Sequence, residues 1–290
     1  MQFDVFNDNQ NVVLRNDVIL ALERADAVAA TAACQTLRQH FPADDALGAL
    51  QELIDALQRR SPQVFASHAA LQTERLQLQG ALSVAARAGL GSAGAAVWLR
   101  QRWQELAQRA CGLPYLAAHS DDHAAPLWLR AGDYSATMTA VATIESWRRI
   151  PTPLGWMLQA RLQLHGLQAN WGLLAELAWL APARLQMVLT QSTDPLLQSL
   201  LSLFERNFDA LGDGADLAWF PAWVLTERPK LASHLAQAQA GQYTAPEQAF
   251  RLLVELLGLE HQGRHHEVIE HRKRLRDLHQ PLYMAYMATR

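Results

Sequence analysis

The sequence predicts an all-α protein, and three observations carry that prediction. Apolar residues recur with helical period almost everywhere. Helix-start chemistry precedes these runs. Alternating Val/Ile/Thr/aromatic stretches are absent, apart from a short piece at Gln2–Phe6. Half of the 290 residues are hydrophobic and only 18% are charged, the balance of a globular chain. That length allows one long domain or two ordinary ones. We expect a single continuous helical domain over 1–290, with a soft division near 112–121.

The elements follow in order. In NVVLRNDVILALERAD, residues Val12, Val13, Val18, Ile19 and Leu22 form an i, i+3/i+4 face. ALERADAVAATAACQTLRQHFP turns at Ala25-Asp26 and closes at Pro42; turn chemistry recurs at RRSP (59–62). ALSVAARAGLGSAGAAVWL contains Arg87 and three glycines, so it is expected to be helix, break, helix rather than a membrane span. Its G-x-G-x-x-G (Gly89, Gly91, Gly94) lacks the strand a dinucleotide site needs, and is expected to be a glycine stop with Ser92 capping the next helix. WLRAGDYSATMTAVATIESWRRIP turns at Gly132-Asp133 and closes at Pro151, and RLQLHGLQANWGLLAELAWLAP turns at Gly166 and closes at Pro182. Asp194-Pro195 pairs an N-cap with the helix position that loses nothing by lacking an N–H. Thr244 and Glu247 have capping-box spacing. A last hairpin, GRHHEVIEHRKRLRDLHQP, turns at Gly263 and closes at Pro281.

These four hairpins resemble tetratricopeptide repeats, whose period is 34 residues. Gly132 and Gly166 are 34 apart, and the gaps of 107 (Ala25 to Gly132) and 97 (Gly166 to Gly263) are each close to three periods. GDYSAT resembles the family's turn, and Trp128 stands four residues before Gly132, where the family favours an aromatic. The family's small residue five places after the turn is matched by Ala30 but replaced by Thr137, Trp171 and Val268. The closing proline drifts between 16 and 19 residues after the turn. The resemblance implies a degenerate TPR-like α-solenoid of antiparallel helical hairpins covering most of the chain. A helical bundle of unrelated hairpins fits the same residues.

HHEVIEH stands one step from a zinc-protease signature. Five residues turn a helix by roughly 500°, so His266 and His271 point about 140° apart, and one ion cannot bind both on a regular helix. Val268, Leu275 and Leu282 instead mark an apolar stripe, with His266, Glu270, Lys273 and Asp277 opposite as a solvated face. In AAHSDDHAAP, His119, Asp121, Asp122 and His123 offer donors for a hard or borderline cation, with the histidines at i, i+4. The same Ser and Asp residues also suit a helix N-terminus. Glu145 and Glu176 stand isolated on structural helices, and no G-x-S-x-G elbow or Walker A motif is present.

A net charge of −3 gives no support for nucleic-acid or membrane-surface binding. All but Lys230 and Lys273 of the 25 basic residues are arginine, a bias associated with GC-rich bacterial coding. Cys34 and Cys111 form no C-x-x-C pair and no disulfide framework. The acidic, amide-rich start MQFDVFNDNQ differs from a secretory signal, and a cytoplasmic location is expected.

All nine tryptophans lie between Trp98 and Trp223. Core packing accounts for most. A few share short helices with arginine: Trp98 with Arg102, Trp128 with Arg130, and Trp156 with Arg161. Trp and Arg are the residues most enriched in binding hot spots. These six are the candidate binding residues, and we expect Trp128, Arg130 and Trp156 to be partly exposed. The expected function is a non-enzymatic adaptor or scaffold, with no cofactor, holding a peptide or helix of a partner protein in a concave groove of its central helical repeats, through acidic or C-terminal carboxylates. The rival readings are a helical enzyme or metal-dependent protein using His119–His123, and a structural subunit of a larger complex.

Overall fold

The computed structural model describes residues 4–208 and 214–290, and among these it holds sixteen α-helices and no strand. Of the short piece at Gln2–Phe6, residues 2–3 lie outside the described residues and 4–6 are helical. The chain packs as two compact units, Met1–Ala140 and Val141–Arg290. Residues 112–121 fall inside the first.

The first unit contains α1 (Asp4–Glu23), α2 (Ala27–His40), α3 (Leu47–Gln58), α4 (His68–Gln79), α5 (Ala81–Ala110), α6 (Ala124–Ala131) and most of α7 (Tyr134–Ala142). Sequence neighbours pack together: α1 on α2, α2 on α3, α4 on α5, α5 on α6. Helix α3 shows why. Leu47, Leu50, Leu53, Ile54 and Leu57 recur at three and four, and all five are buried. Burying each such side chain contributes about 1.5–3 kcal/mol before the entropy cost of ordering it. Helix α5 breaks at Gly91, with φ 67° and ψ 176°, as the glycine-rich sequence predicts. The run His68–Ala110 is long and apolar enough to cross a membrane. It is interrupted at Gly80 as well as at Gly91, and a third of its apolar window is buried within the protein.

The second unit contains α8 (Pro151–His165), α9 (Trp171–Leu180), α10 (Pro182–Gln191), α11 (Pro195–Asn207), α12 (Phe220–Glu227), α13 (Ala232–Leu235), α14 (Ala245–His261), α15 (His265–Leu278) and α16 (Gln280–Ala288). Helix α9 (WGLLAELAWL) is apolar on every face except for Glu176, and α8, α10, α12 and α13 all pack against it, so Trp171 through Trp179 are all buried. Helices α14, α15 and α16 again pack in sequence order. Pairing of neighbours through both units is compatible with a helical repeat.

All four expected turns carry positive φ: Ala25 at 56°, Gly132 at 75°, Gly166 at 69° and Gly263 at 71°. Three share one hydrogen-bond pattern. Ala25, Gly132 and Gly263 each donate to the carbonyl three residues back, and Asp26, Asp133 and Arg264 to the carbonyl five back, at 3.0–3.1 Å. This is the Schellman closure, which satisfies carbonyls a helix end would orphan. Asp26 and Asp133 then cap the following helix, accepting from the N–H of Ala29 and Ala136 at 2.9 Å. The residue five places after each turn (Ala30, Thr137, Trp171, Val268) is buried whatever its size. Pro151, Pro182 and Pro281 close their hairpins by standing in the first turn of the next helix, where a missing N–H costs nothing.

Two local expectations are corrected. Asp194 caps α11 through Leu197 N–H at 2.9 Å, but Thr244 does not cap α14, and its buried hydroxyl has no partner. Glu247 instead accepts from the N–H groups of Gly241 and Tyr243, at 2.8 and 2.9 Å, because the preceding loop wraps over the helix start. Glu145 lies in a turn rather than on a helix.

Candidate functional site

A cleft of about 850 Å³ opens in the first unit between α3, α4, α5 and the segment after α3. Its geometry begins with one face of α5: Trp98, Arg102, Glu105 and Arg109, spaced four, three and four, follow a single helical row. Trp98 has no exposed surface and backs the floor. Arg102 is 7% exposed, with its guanidinium 5.5 Å from the Trp98 ring and Nη2 2.9 Å from Glu105. Glu105 is shared, since Arg60 also pairs with it. The Arg102 Nε and Nη1 groups are buried without an acceptor. Burial lowers the Arg102 pKa to about 10, against the attraction of Glu105, so the group stays charged at neutral pH.

Arg109 does different work at the far end of the row. It forms a bidentate pair with Glu74 at 2.5 and 2.8 Å, and its Nε donates to the carbonyl of Gln63 at 2.7 Å. Its guanidinium covers the Phe65 ring at 4.1 Å. Segment 63–65 is thereby tied to α5. Four arginines (59, 60, 102, 109) face three glutamates (52, 74, 105) around it, leaving a net charge of +1.

Of the six candidate residues, the structure brings only Trp98 and Arg102 to this cleft. Trp128 is 9% exposed and belongs to the core of the first unit. Arg130 is exposed, and lies 5.0 Å over Trp103 rather than on Trp128. Trp156 (6% exposed) and half-buried Arg161 belong to the second unit. Part exposure therefore holds for Arg130 and fails for Trp128 and Trp156, whose rings fill helix interfaces. Glu105 and Arg109 were within reach of the α5 spacing. Arg60 and Glu74 join from 45 and 35 residues away, and nothing local marks them.

The His119–His123 region is used structurally. His119 has φ −122° and ψ 37°, so the i, i+4 spacing puts no pair on one helix face. Asp122 is buried in an ion pair with Arg75 at 2.7 Å. His123 caps α6, its Nδ1 accepting from Ala125 N–H at 3.2 Å, and burial, with His68 nearby, lowers its pKa to about 4. Among the described residues no three His, Cys, Asp or Glu side chains form a group that could hold a metal ion. In the HHEVIEH stretch, Glu267 pairs with Arg264 and Glu270 with Lys273, while Val268 and Leu275 are buried.

The chain matches no family model, no curated protein and no solved structure.

Proposed function

We propose that this chain is a non-enzymatic binding protein, an adaptor or scaffold whose first-unit cleft takes an acidic peptide segment of a partner. The proposal includes a repeat origin: degenerate TPR-like hairpins, supported by three turns of one geometry. The observation that carries the binding reading is the cleft's buried cation. Arg102 has one carboxylate, shared with Arg60, and two unpartnered N–H nitrogens. Such a charge is costly unless compensated, and a carboxylate entering a +1 cleft supplies the missing countercharge. A cleft of this size lies within the usual range for ligand sites, about 300–1,000 Å³, enough for a few peptide residues.

Arg102→Met tests the reading, because it keeps the packing volume and removes the charge. A cation present for binding is retained at the expense of stability, so the variant should be as stable as the parent or more so. Titrated with short Asp/Glu-rich peptides bearing a free C-terminal carboxylate, it should bind about ten- to a hundredfold more weakly, the loss of roughly 1.5–3 kcal/mol expected for a charged contact. Amidated peptides with Asn and Gln in place of the acids should not bind the parent. Equal behaviour of the acidic and neutral peptides would remove the proposal, as would an Arg102→Met variant that binds normally.

A further inference from the structure

Carboxylates of the chain itself meet the arginines of the first-unit cleft, and they do so in two different ways. Glu74 takes Arg109 with both oxygens, at 2.5 and 2.8 Å, and Arg109 is held further by the Gln63 carbonyl and the Phe65 ring. That pair belongs to the frame. Glu105 instead serves Arg60 and Arg102 through a single oxygen, Oε1, which both guanidinium groups approach. The Glu105 side chain is 30% exposed, and that of Arg60, on the non-helical segment beyond α3, is 40% exposed. Arg102 is the fixed member, buried against the Trp98 ring.

An ion pair that stands partly in water is weakly held. The Glu105 carboxylate can therefore leave Arg102 at small cost, provided that another carboxylate takes its place. Arg102 itself is too desolvated to stand without one.

We propose that Glu105 is the cleft's internal competitor. It holds the carboxylate position between Arg60 and Arg102 in the free chain, and a ligand carboxylate binds by taking Arg102 over from it. The inference rests on the binding reading of this cleft and adds what regulates it. After the exchange Glu105 remains with Arg60, so each guanidinium has a carboxylate of its own. A lone carboxylate gains little by such an exchange. An acidic segment gains more, because its further acids meet a cleft of four arginines and three glutamates. Glu105 thus sets a threshold that favours multiply acidic segments over single carboxylates.

The test is a calorimetric titration of the full chain and its variants with an Asp/Glu-rich peptide bearing a free C-terminal carboxylate. Glu105→Ala removes the competitor and should bind about tenfold more tightly than the parent. Glu105→Gln keeps the side chain's size, protects the fold, and should also bind more tightly than the parent. Glu52 lines the same cleft without an ion pair to Arg60 or Arg102. Glu52→Gln changes the net charge equally and should tighten binding by about twofold at most, because a more distant charge is screened. At matched ionic strength, acetate should raise the melting midpoint of Glu105→Ala more than that of the parent, and acetamide should not. A parent that binds while neither Glu105 variant binds more tightly overturns the inference and leaves the binding reading standing. Glu52→Gln matching Glu105→Gln, or a Glu105→Ala midpoint that acetate does not raise, overturns it as well. If neither the parent nor any variant binds the peptide, the binding reading falls and the inference falls with it.

Discussion

Among the described residues Ala25 is one of three non-glycine residues with positive φ, and it occupies the same Schellman position as Gly132 and Gly263. A left-handed alanine costs about 1–2 kcal/mol, partly offset because alanine has less backbone freedom to lose on folding than glycine. Ala25→Gly should therefore raise stability by about 0.5–1 kcal/mol. Gly132→Ala should lower it by a similar amount, since a Cβ there meets nothing within 4 Å and the penalty is purely backbone. Urea midpoints at constant slope check both. His123 gives a pH prediction. Its folded-state pKa of about 4 lies below the ordinary value of 6.5, so between those pH values the unfolded chain binds the extra proton. Stability from this group is complete above about 6.5 and is lost as pH falls toward 4, by an amount on the order of 2–3 kcal/mol. His123→Asn keeps a capping acceptor and should flatten denaturation midpoints across that window. An unchanged slope in the variant would show that His123 does not titrate this way.

At the scale of elements, the tightest approach on α9 is made with distant chain. Next to the fully buried Trp171 stands Gly172, where a Cβ would lie 3.1 Å from the backbone nitrogen of Ala238 and 3.2 Å from the Gln237 carbonyl carbon. Backbone cannot swing aside as a side-chain tip does. Gly172→Ala should cost about 1–3 kcal/mol by overpacking, and should loosen the following loop enough to raise amide exchange at Gln239 and Gly241. A neutral variant would mean that the loop has room to move. This contact also shows where the sequence stops being legible. The turns at 25, 132, 166 and 263, the break at Gly91 and the Asp194 cap are written in adjacent residues, because φ preference and capping are local chemistry. The Trp98–Arg102 pair was visible for the same reason, as neighbours on one helix. What the sequence hid comes from distant chain: Arg60 arriving at Glu105, Arg148 at Glu176, and the loop amides that take Glu247 away from Thr244. Hydrophobic period likewise says that Trp128 and Trp156 face something apolar. It does not say whether that surface is a groove or another helix.

For the whole molecule, the division at 140/141 falls inside α7, and the next residue outside regular helix is Thr143. Every residue lining the cleft lies between Glu52 and Arg109, and the core of the first unit closes among residues 18–131 with Ala136 and Ala140 packed on it. A chain ending after Ala142 therefore keeps the whole core, the whole of α7 and the whole cleft, at roughly the size of an ordinary domain of 100–150 residues. Expressed alone, residues 1–142 should give a helical circular dichroism spectrum and a cooperative urea transition, since the buried apolar cluster of the first unit is built from residues within that span. It should also bind the acidic peptides with the affinity of the full chain, because each charge that defines the cleft is retained. The Ala25→Gly and Arg102→Met substitutions should shift the fragment's stability and binding as they shift the parent's, since additivity holds where no partner has been removed. A fragment that is helical but melts without cooperativity would show that the first unit takes its stability from the rest of the chain. If instead it folds and fails to bind, the cleft needs a residue from beyond 142, and the assignment of binding to Arg102 and its neighbours would have to be abandoned.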